Sequence, residues 1–172
     1  MPEYWDILDR NRHPTGQLHR RGQPFKDGEY HTVVEIMTIA CASKILVTKR
    51  HPCKHFGNTW EFTAGSVLAG ESSRDGARRE LFEETGIKVS AEKLIHIATF
   101  TSYHQFYDEY IALLPSEPKE LVLQPFEVCD ARFVTLKELK EMNRRGEFVS
   151  PAYRRIIENP ALYRKYLRIT ED

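Results

Sequence analysis

The sequence has few cysteines, no long apolar run and no excess of charge of either sign. It contains three cysteines in 172 residues, none of them in a Cys-x-x-Cys pair, and its 25 basic side chains balance 25 acidic ones. An odd number of isolated cysteines argues against a disulfide framework and favours a reducing, cytoplasmic setting. The balanced charge disfavours binding to a nucleic-acid polymer. No run approaches the ~20 apolar residues of a transmembrane helix, and residues 1–13 lack the apolar centre of a signal peptide, so we expect no membrane association.

The length and the order of the elements predict a single domain of mixed structure. The chain is long enough to bury a sizeable core, and it contains no internal repeat or low-complexity segment. We expect an N-terminal hairpin or extension over residues 1–30, a core over residues 31–140 and C-terminal helices over residues 141–172. Apolar and β-branched runs predict strands at residues 4–8, 31–42, 45–50, 60–63, 94–102, 106–114 and 129–134. Strands on both sides of one central helix, followed by further helices, predict a mixed α/β (α+β) fold with helices covering a mixed sheet.

The stretch Gly65–Ile87 carries the clearest chemical signal. Within it, Glu80, Glu83 and Glu84 stand at spacings i, i+3 and i+4, which place all three carboxylates on one face of a helix. Like charges so close together repel, and a hard divalent cation with oxygen ligands would relieve that repulsion. A solvated acidic helix face is the ordinary alternative for such a run of charge.

The spacing in this stretch resembles the signature of the Nudix hydrolase family, G-x5-E-x7-R-E-U-x-E-E-x-G-U, in which U is a bulky aliphatic residue. The nine fixed positions are all filled, by Gly65, Glu71, Arg79, Glu80, Leu81, Glu83, Glu84, Gly86 and Ile87. So many matches rarely arise by chance in so short a stretch. The resemblance implies an α-β-α sandwich in which the motif forms a loop, a helix and a second loop.

The resemblance also implies a reaction, a cofactor and a partner. The expected reaction is hydrolysis of the diphosphate linkage of a nucleoside diphosphate joined to another moiety, X, with Mg²⁺ or Mn²⁺ as cofactor. Metal ions that bridge a diphosphate neutralise its charge and lower the pKa of bound water. The partner would then be a small-molecule diphosphate, and the family also suggests a homodimer.

Roles for the motif residues follow from the same resemblance. Glu83 and Glu84 would be metal ligands, and Glu80 would be either a further ligand or the general base. The backbone carbonyl of Ala64, just before the first motif glycine, would complete the ligand set. An ion pair between two further motif residues, Arg79 and Glu71, would orient the loop against the helix.

Four charged residues outside the motif are further candidates for the site. Glu109 lies on a predicted strand whose alternation could point it at the metal, although an exposed acid at a strand end is an equal alternative. Glu127 is the second choice for such an acid, and a solvated loop position is its alternative. Lys49 and Arg50 end a strand that should adjoin the motif loop, so that one of them could bind phosphate. Each of these two could equally be an ordinary cation at a strand end.

Residues 5–22, followed by residues 28–39, resemble the branch of the superfamily that contains isopentenyl-diphosphate isomerase. That enzyme uses a catalytic cysteine, and the corresponding position here is Ala64, while Ser66 occupies the position of a metal-binding histidine. Without the cysteine the isomerase chemistry has no proton donor, so hydrolysis is favoured. The alternatives are isomerase-like activity on a prenyl diphosphate and a non-catalytic nucleotide-binding regulator. Such a regulator would be expected to lose motif acids and to carry a DNA-binding domain.

Overall fold

The computed structural model describes residues 2–41 and 43–167, without the side chain at position 150. Residue 42 of the second predicted strand and residues 168–172 of the predicted C-terminal segment lie outside the described residues. The strands are β1 (Tyr4–Leu8), β2 (Pro14–Arg20), β3 (His31–Ala40), β4 (Lys44–Arg50), β5 (Trp60–Glu61), β6 (Thr63–Ser66), β7 (Leu94–Ser102), β8 (Gln105–Leu114) and β9 (Val128–Val134). The helices are α1 (Ser73–Thr85), α2 (Leu136–Arg144), α3 (Ser150–Glu158) and α4 (Pro160–Leu167).

Strand β3 is the centre of a mixed seven-stranded sheet with the path β5-β4-β3-β8-β7. It pairs in parallel with β8 along its whole length. On its other edge, Val33–Ile36 pair antiparallel with β6, and its last two residues pair with β4. Strand β9 extends the sheet by pairing with β4. The beginning of the sequence motif, in β6, is therefore held directly against the central strand.

Helices cover both faces of the sheet because residues of β3 alternate between two cores. Val34 and Ile36 pack with Ala77 and Leu81 of α1 in one cluster. The second cluster joins the other face of β3 to α2, α3 and α4 through Met37, Ile39, Leu139, Met142, Ile156 and Tyr163. The α-β-α arrangement expected from the sequence is therefore confirmed, whereas the single-domain organisation stays a prediction. In the part of the chain described, no helix has the length and apolar character needed to cross a bilayer.

The N-terminal hairpin of β1 and β2 packs onto the start of β3 through a stack of rings. The indole of Trp5 lies parallel to the His31 imidazole, with ring centroids 4.3 Å apart. Phe25 stacks on His19 at 3.7 Å and on His31 at 5.0 Å. His31 is almost fully buried, and neither of its ring nitrogens has a hydrogen-bond partner among the described residues. Burial, assisted by His19 and His104, lowers the pKa of His31 from 6.5 to about 4.

This environment makes His31 a source of acid sensitivity in the fold. Since the folded pKa lies below the unfolded one, the unfolded chain binds the proton more tightly, and stability is lost as the pH falls from 6.5 through 4. At 1.36 kcal/mol per pKa unit, we expect His31 to remove about 2 kcal/mol from the free energy of unfolding between pH 7 and pH 5. His31→Phe should keep the ring stack and abolish this part of the pH dependence in urea titrations. Equal losses in wild type and variant would contradict the expectation.

Candidate active site

A cleft of about 500 Å³ brings the motif acids together with residues from several other parts of the chain. Glu80, Glu83 and Glu84 of α1 line it together with Ala64 and Gly65 of β6. Further lining residues come from the N-terminal hairpin, β3, the loop after β4, β5, β8, the loop before β9 and the start of α3. The structure therefore brings together all the metal ligands expected from the sequence.

The helix that carries these acids begins and ends where its sequence dictates. Ser72 caps its N-terminus by accepting a 3.1 Å hydrogen bond from the backbone amide of Asp75. At its C-terminus, Gly86 has a φ of 75° and donates its backbone N–H to the Phe82 carbonyl at 2.8 Å. A Cβ added at Gly86 would also lie only 2.9 Å from the Cβ of Val122 and would collide with it. The conformation and the close packing together explain the motif glycine at this position.

Arg79 connects the motif loop to the motif acids. Its guanidinium donates two 3.0 Å hydrogen bonds to the two carboxylate oxygens of Glu71 and a third to the Ser66 carbonyl. Nη1 also donates to Glu80 at 2.8 Å and to Glu83 at 3.0 Å. A planar fork of donors suits this task, which a single ammonium group could not perform. The expected Arg79–Glu71 pair is thus present, and its arginine also orients two of the acids.

Gly65 leaves room for the carboxyl group of Glu80, which lies against its Cα. A Cβ added at this position would fall well inside van der Waals contact of the Glu80 carboxyl group. Any larger residue would therefore displace Glu80 or the strand. The motif glycine creates the space that the acid occupies.

Glu84 is the acid least satisfied by the protein. It is 3% exposed, and its Oε2 has no hydrogen-bond partner in the described part of the structure. Burial, reinforced by the negative charges of Glu61 and Glu80, raises the pKa of Glu84 well above its ordinary value. Burial likewise raises the pKa of Glu80, although its ion pair with Arg79 opposes that shift. A buried carboxylate without a partner is unfavourable unless a cation or a proton neutralises it.

The charge balance of the cleft favours a cation over an anion. Among the described residues its lining contains seven glutamates, namely Glu3, Glu35, Glu61, Glu80, Glu83, Glu84 and Glu127. The five basic side chains in the lining, Arg21, Arg50, Lys54, Arg79 and Arg155, all form ion pairs with glutamates. An anionic diphosphate would therefore find every Lys and Arg of the described lining already paired, and cations would have to neutralise its charge.

The residues present fit a hard divalent ion. Glu80 and Glu83 each use one carboxylate oxygen for Arg79, and their carboxylates make no other hydrogen bond to a described residue. Glu84 adds its unpartnered oxygen. Carboxylate and carbonyl oxygens are the ligands that such ions prefer. Within residues 2–41 and 43–167, no three His, Cys, Asp or Glu side chains already converge as a complete ligand set. Binding therefore requires these carboxylates to adjust from their positions beside Arg79.

The structure places the four candidates outside the motif differently from one another. Arg50 and Glu127 line the cleft, but Arg50 is committed to Glu61 through two 2.7 Å hydrogen bonds and Glu127 is paired with Lys54. Lys49 is not in the lining, and its ammonium lies 5.7 Å from the centre of the Trp60 ring.

Glu109 is not brought to the motif acids either. It is 5% exposed and does not line the cleft. One of its carboxylate oxygens accepts a hydrogen bond from Nε of Arg155, and the other accepts one from the hydroxyl of Tyr163. The strand alternation does turn Glu109 away from solvent, but towards α3 and α4, whose side chains use both of its oxygens.

Three acids that line the cleft, Glu3, Glu35 and Glu61, were missed by the sequence reasoning, and two of them lie on strands. Glu35 lies on β3, where it is the only acid in an otherwise apolar and β-branched strand, and Glu61 lies between two buried aromatic residues. An isolated acid in such a strand is itself a signal, because charged residues are rarely buried without a partner or a function. Burial raises the pKa of Glu35 to about 8, and the neighbouring Glu109 adds to the shift.

Comparisons with known proteins agree with this geometry. A family model described as NUDIX domain matches residues 29–155. An uncharacterised Nudix hydrolase of Listeria monocytogenes is 38% identical over 152 residues, which cover 86% of this chain and 88% of that protein. A crystal structure from Deinococcus radiodurans superimposes with a TM-score of 0.70 at 20% identity, over 86% of this chain and 92% of that one.

A further solved structure contains a manganese ion. It is a bifunctional NMN adenylyltransferase/ADP ribose pyrophosphatase from Francisella tularensis, solved with AMP and manganese. Its TM-score is 0.64 at 19% identity, over 81% of this chain and 43% of that one, so the likeness concerns the fold. These comparisons support hydrolysis and leave the resemblance to the isomerase branch unconfirmed.

Proposed function

Since the chain belongs to the Nudix hydrolase family, we propose that it cleaves the diphosphate linkage of a nucleoside diphosphate joined to a moiety X, using Mg²⁺ or Mn²⁺. Family membership makes the chain a pyrophosphohydrolase that depends on a divalent metal. The identity of the metal and of the substrate belongs to the proposal. The observation that carries it is the buried, unpartnered carboxylate oxygen of Glu84 beside Glu80 and Glu83 in one cleft.

The residues of the chain would divide the work as follows. Glu83, Glu84, Glu80 and the carbonyl of Ala64 would hold the ion, which when bound would neutralise the diphosphate and lower the pKa of a water molecule. Arg79 keeps Glu80 and Glu83 oriented through its fixed fork of donors. If Glu80 does not bind the ion, its oxygen that is not bonded to Arg79 would instead accept the proton of the attacking water. Because burial raises the pKa of Glu80, its carboxylate is a better proton acceptor than an exposed one.

The setting and the partners form part of the same proposal. All three cysteines, Cys41, Cys53 and Cys129, are free and exposed, which supports a cytoplasmic location because thiols persist in reducing compartments. The substrate would be a small molecule, and the balanced charge of the chain supports no role for a nucleic-acid polymer. A homodimer stays a prediction, which light scattering of the purified protein would test.

A substrate screen tests the proposed reaction. Purified protein with Mg²⁺ or Mn²⁺ should hydrolyse at least one member of a panel that contains ADP-ribose, NADH, a coenzyme A derivative, a diadenosine polyphosphate and 8-oxo-dGTP. Products separated by chromatography should appear with metal and be absent with EDTA. Failure to cleave any member with either metal would contradict the proposal. Conversion of isopentenyl diphosphate to dimethylallyl diphosphate would instead support the isomerase alternative.

A further inference from the structure

The cleft contains a buried carboxylate oxygen that the motif does not use. Glu35 is 8% exposed and lines the cleft. Its Oε2 accepts a 2.7 Å hydrogen bond from Nη2 of Arg155, whereas its Oε1 has no partner among the described residues. Buried polar atoms are almost always hydrogen-bonded, and an exception calls for a functional explanation or a missing ligand. The unpartnered oxygen is therefore a candidate contact for the substrate.

The second carboxylate of the same network, that of Glu109, does not reach the cleft. Glu109 is the register partner of Glu35 across the parallel pair of β3 and β8, and the two share Arg155. Both oxygens of Glu109 are bonded, to Arg155 and to Tyr163, and Glu109 does not line the cleft. Of the two acids in this buried network, only Glu35 both lines the cleft and has a carboxylate oxygen without a partner among the described residues.

The charges around Glu35 restrict what that ligand group can be. Arg155 neutralises one of the two carboxylates and has both Nε and Nη2 bonded to them. A phosphate oxygen would be repelled by the ionised form of Glu35, and an apolar chain would leave Oε1 unpaired in either protonation state. A hydroxyl suits the position because it donates to a carboxylate and also accepts from a protonated carboxyl group.

Two neighbouring side chains extend the polar character of this part of the cleft. Tyr107 lies two residues before Glu109 on β8, on the same face of the sheet as Glu35, and its ring centre is 4.8 Å from Cζ of Arg155. Its hydroxyl donates to the side-chain oxygen of Gln105. The amide NH₂ of Gln105 makes no hydrogen bond to another described residue, and both side chains line the cleft. Gln105 lines the same cleft as Glu35 but stands four residues from Glu109 along β8, about 13 Å away at the usual rise of a strand.

We propose that Glu35 forms a subsite that binds a hydroxyl group of the moiety X, such as one of a ribose or another sugar. This inference rests on the proposed function, since it takes the diphosphate to lie at the motif acids. Glu35 is then a specificity-determining residue, which favours a sugar-bearing diphosphate over a prenyl diphosphate.

The test measures binding without turnover. Calorimetry with Mn²⁺ would compare the wild type with Glu35→Met, Glu35→Gln and Glu109→Gln, using methylene-bridged ADP-ribose and, as a bare diphosphate, methylenediphosphonate. Glu35→Met should weaken binding of the ADP-ribose analogue by about tenfold, because one hydrogen bond to a buried group is lost. Glu35→Gln keeps a polar group in place and should stay within about threefold of wild type. Glu109→Gln alters the same network away from the cleft and should also stay within that range, and methylenediphosphonate should bind all four proteins equally.

Equal weakening by Glu35→Met and Glu109→Gln would overturn the proposal, because it would show a purely structural network. So would an unchanged affinity in Glu35→Met, or failure of the wild type to bind both this analogue and methylene-bridged UDP-glucose. Should Glu35→Met not fold, a crystal structure of the wild type with the ADP-ribose analogue decides. A ligand hydroxyl within hydrogen-bond distance of Glu35 supports the subsite, and a phosphate oxygen or no ligand atom there overturns it.

The binding test also separates the two proposals. A protein that hydrolyses nothing but binds the analogue through Glu35 would contradict the proposed function and keep the subsite. A protein that hydrolyses members of the panel but binds the analogue equally well with and without Glu35 would support the proposed function and contradict the subsite.

Discussion

Glu84→Gln should lower kcat by at least about a hundredfold while leaving the metal-free protein at least as stable as the wild type. The loss of activity follows because the amide cannot replace a carboxylate that holds a divalent ion. The stability follows from the burial of Glu84, whose Oε2 has no partner and whose pKa is raised in the fold. Because the folded pKa exceeds the unfolded one, Glu84 favours the fold below pH 4.5 and loses that contribution as the pH rises through the folded pKa. Glutamine cannot ionise, so Glu84→Gln does not lose this stabilising contribution as the pH rises.

Steady-state kinetics and thermal unfolding at pH 8, each with and without Mn²⁺, check both halves of this expectation. Mn²⁺ should raise the melting temperature of the wild type and have much less effect on Glu84→Gln, since a ligand stabilises only the state that binds it. Glu141→Gln is a suitable control, because Glu141 is a half-exposed residue of α2 paired with Arg144 and lies outside the cleft lining. It should change neither measurement. Full activity in Glu84→Gln would remove Glu84 from the site.

Arg79→Lys should lower both activity and stability, although the charge is kept. The guanidinium holds both oxygens of Glu71, the Ser66 carbonyl and one oxygen each of Glu80 and Glu83, which a lysine ammonium cannot reach together. We expect kcat to fall by about 10- to 100-fold, as for residues that orient metal ligands. The free energy of unfolding should fall by about 1–3 kcal/mol, since hydrogen bonds between charged, half-buried groups are lost.

The adjacent arginine provides a matched control for this substitution. Arg78 lies on the same helix, more than half exposed, and its only ion pair in the described chain is a 3.6 Å contact with Asp75. Arg78→Lys should leave kcat within a factor of about two and stability within about 0.5 kcal/mol, as exposed ion pairs contribute little. Chemical denaturation and kinetics on both variants decide the matter. Equal effects of the two substitutions would contradict the role assigned to Arg79.

The motif could be predicted from the sequence because its contacts are local. Arg79 reaches Glu71 eight residues away and Glu83 four residues away, so the spacing already contains the geometry. The ends of α1 also depend on local contacts, since Ser72 caps it through its side chain and Gly86 ends it in the left-handed conformation. The capping box of α2, in which Thr135 and Glu138 bond reciprocally, is equally local.

The remainder of the site depends on contacts between distant segments, which no local pattern contains. Glu35 and Arg155 are 120 residues apart and meet only because α3 packs over β3. Strand alternation places Glu109 on one face of β8, but the partners it finds there are set by α3 and α4. Lys49 and Arg50 are adjacent on β4, so they point to opposite faces, and only Arg50 lines the cleft.

The position of the bound metal tests the central claim most directly. Crystals of the wild-type protein soaked with Mn²⁺ should show their strongest anomalous peak within about 2–2.6 Å of carboxylate oxygens of Glu80, Glu83 and Glu84, with the carbonyl of Ala64 beside it. The same soak of Glu84→Gln should lose that peak or weaken it strongly. A strong manganese peak elsewhere in the cleft, with none at these three acids, would contradict the account.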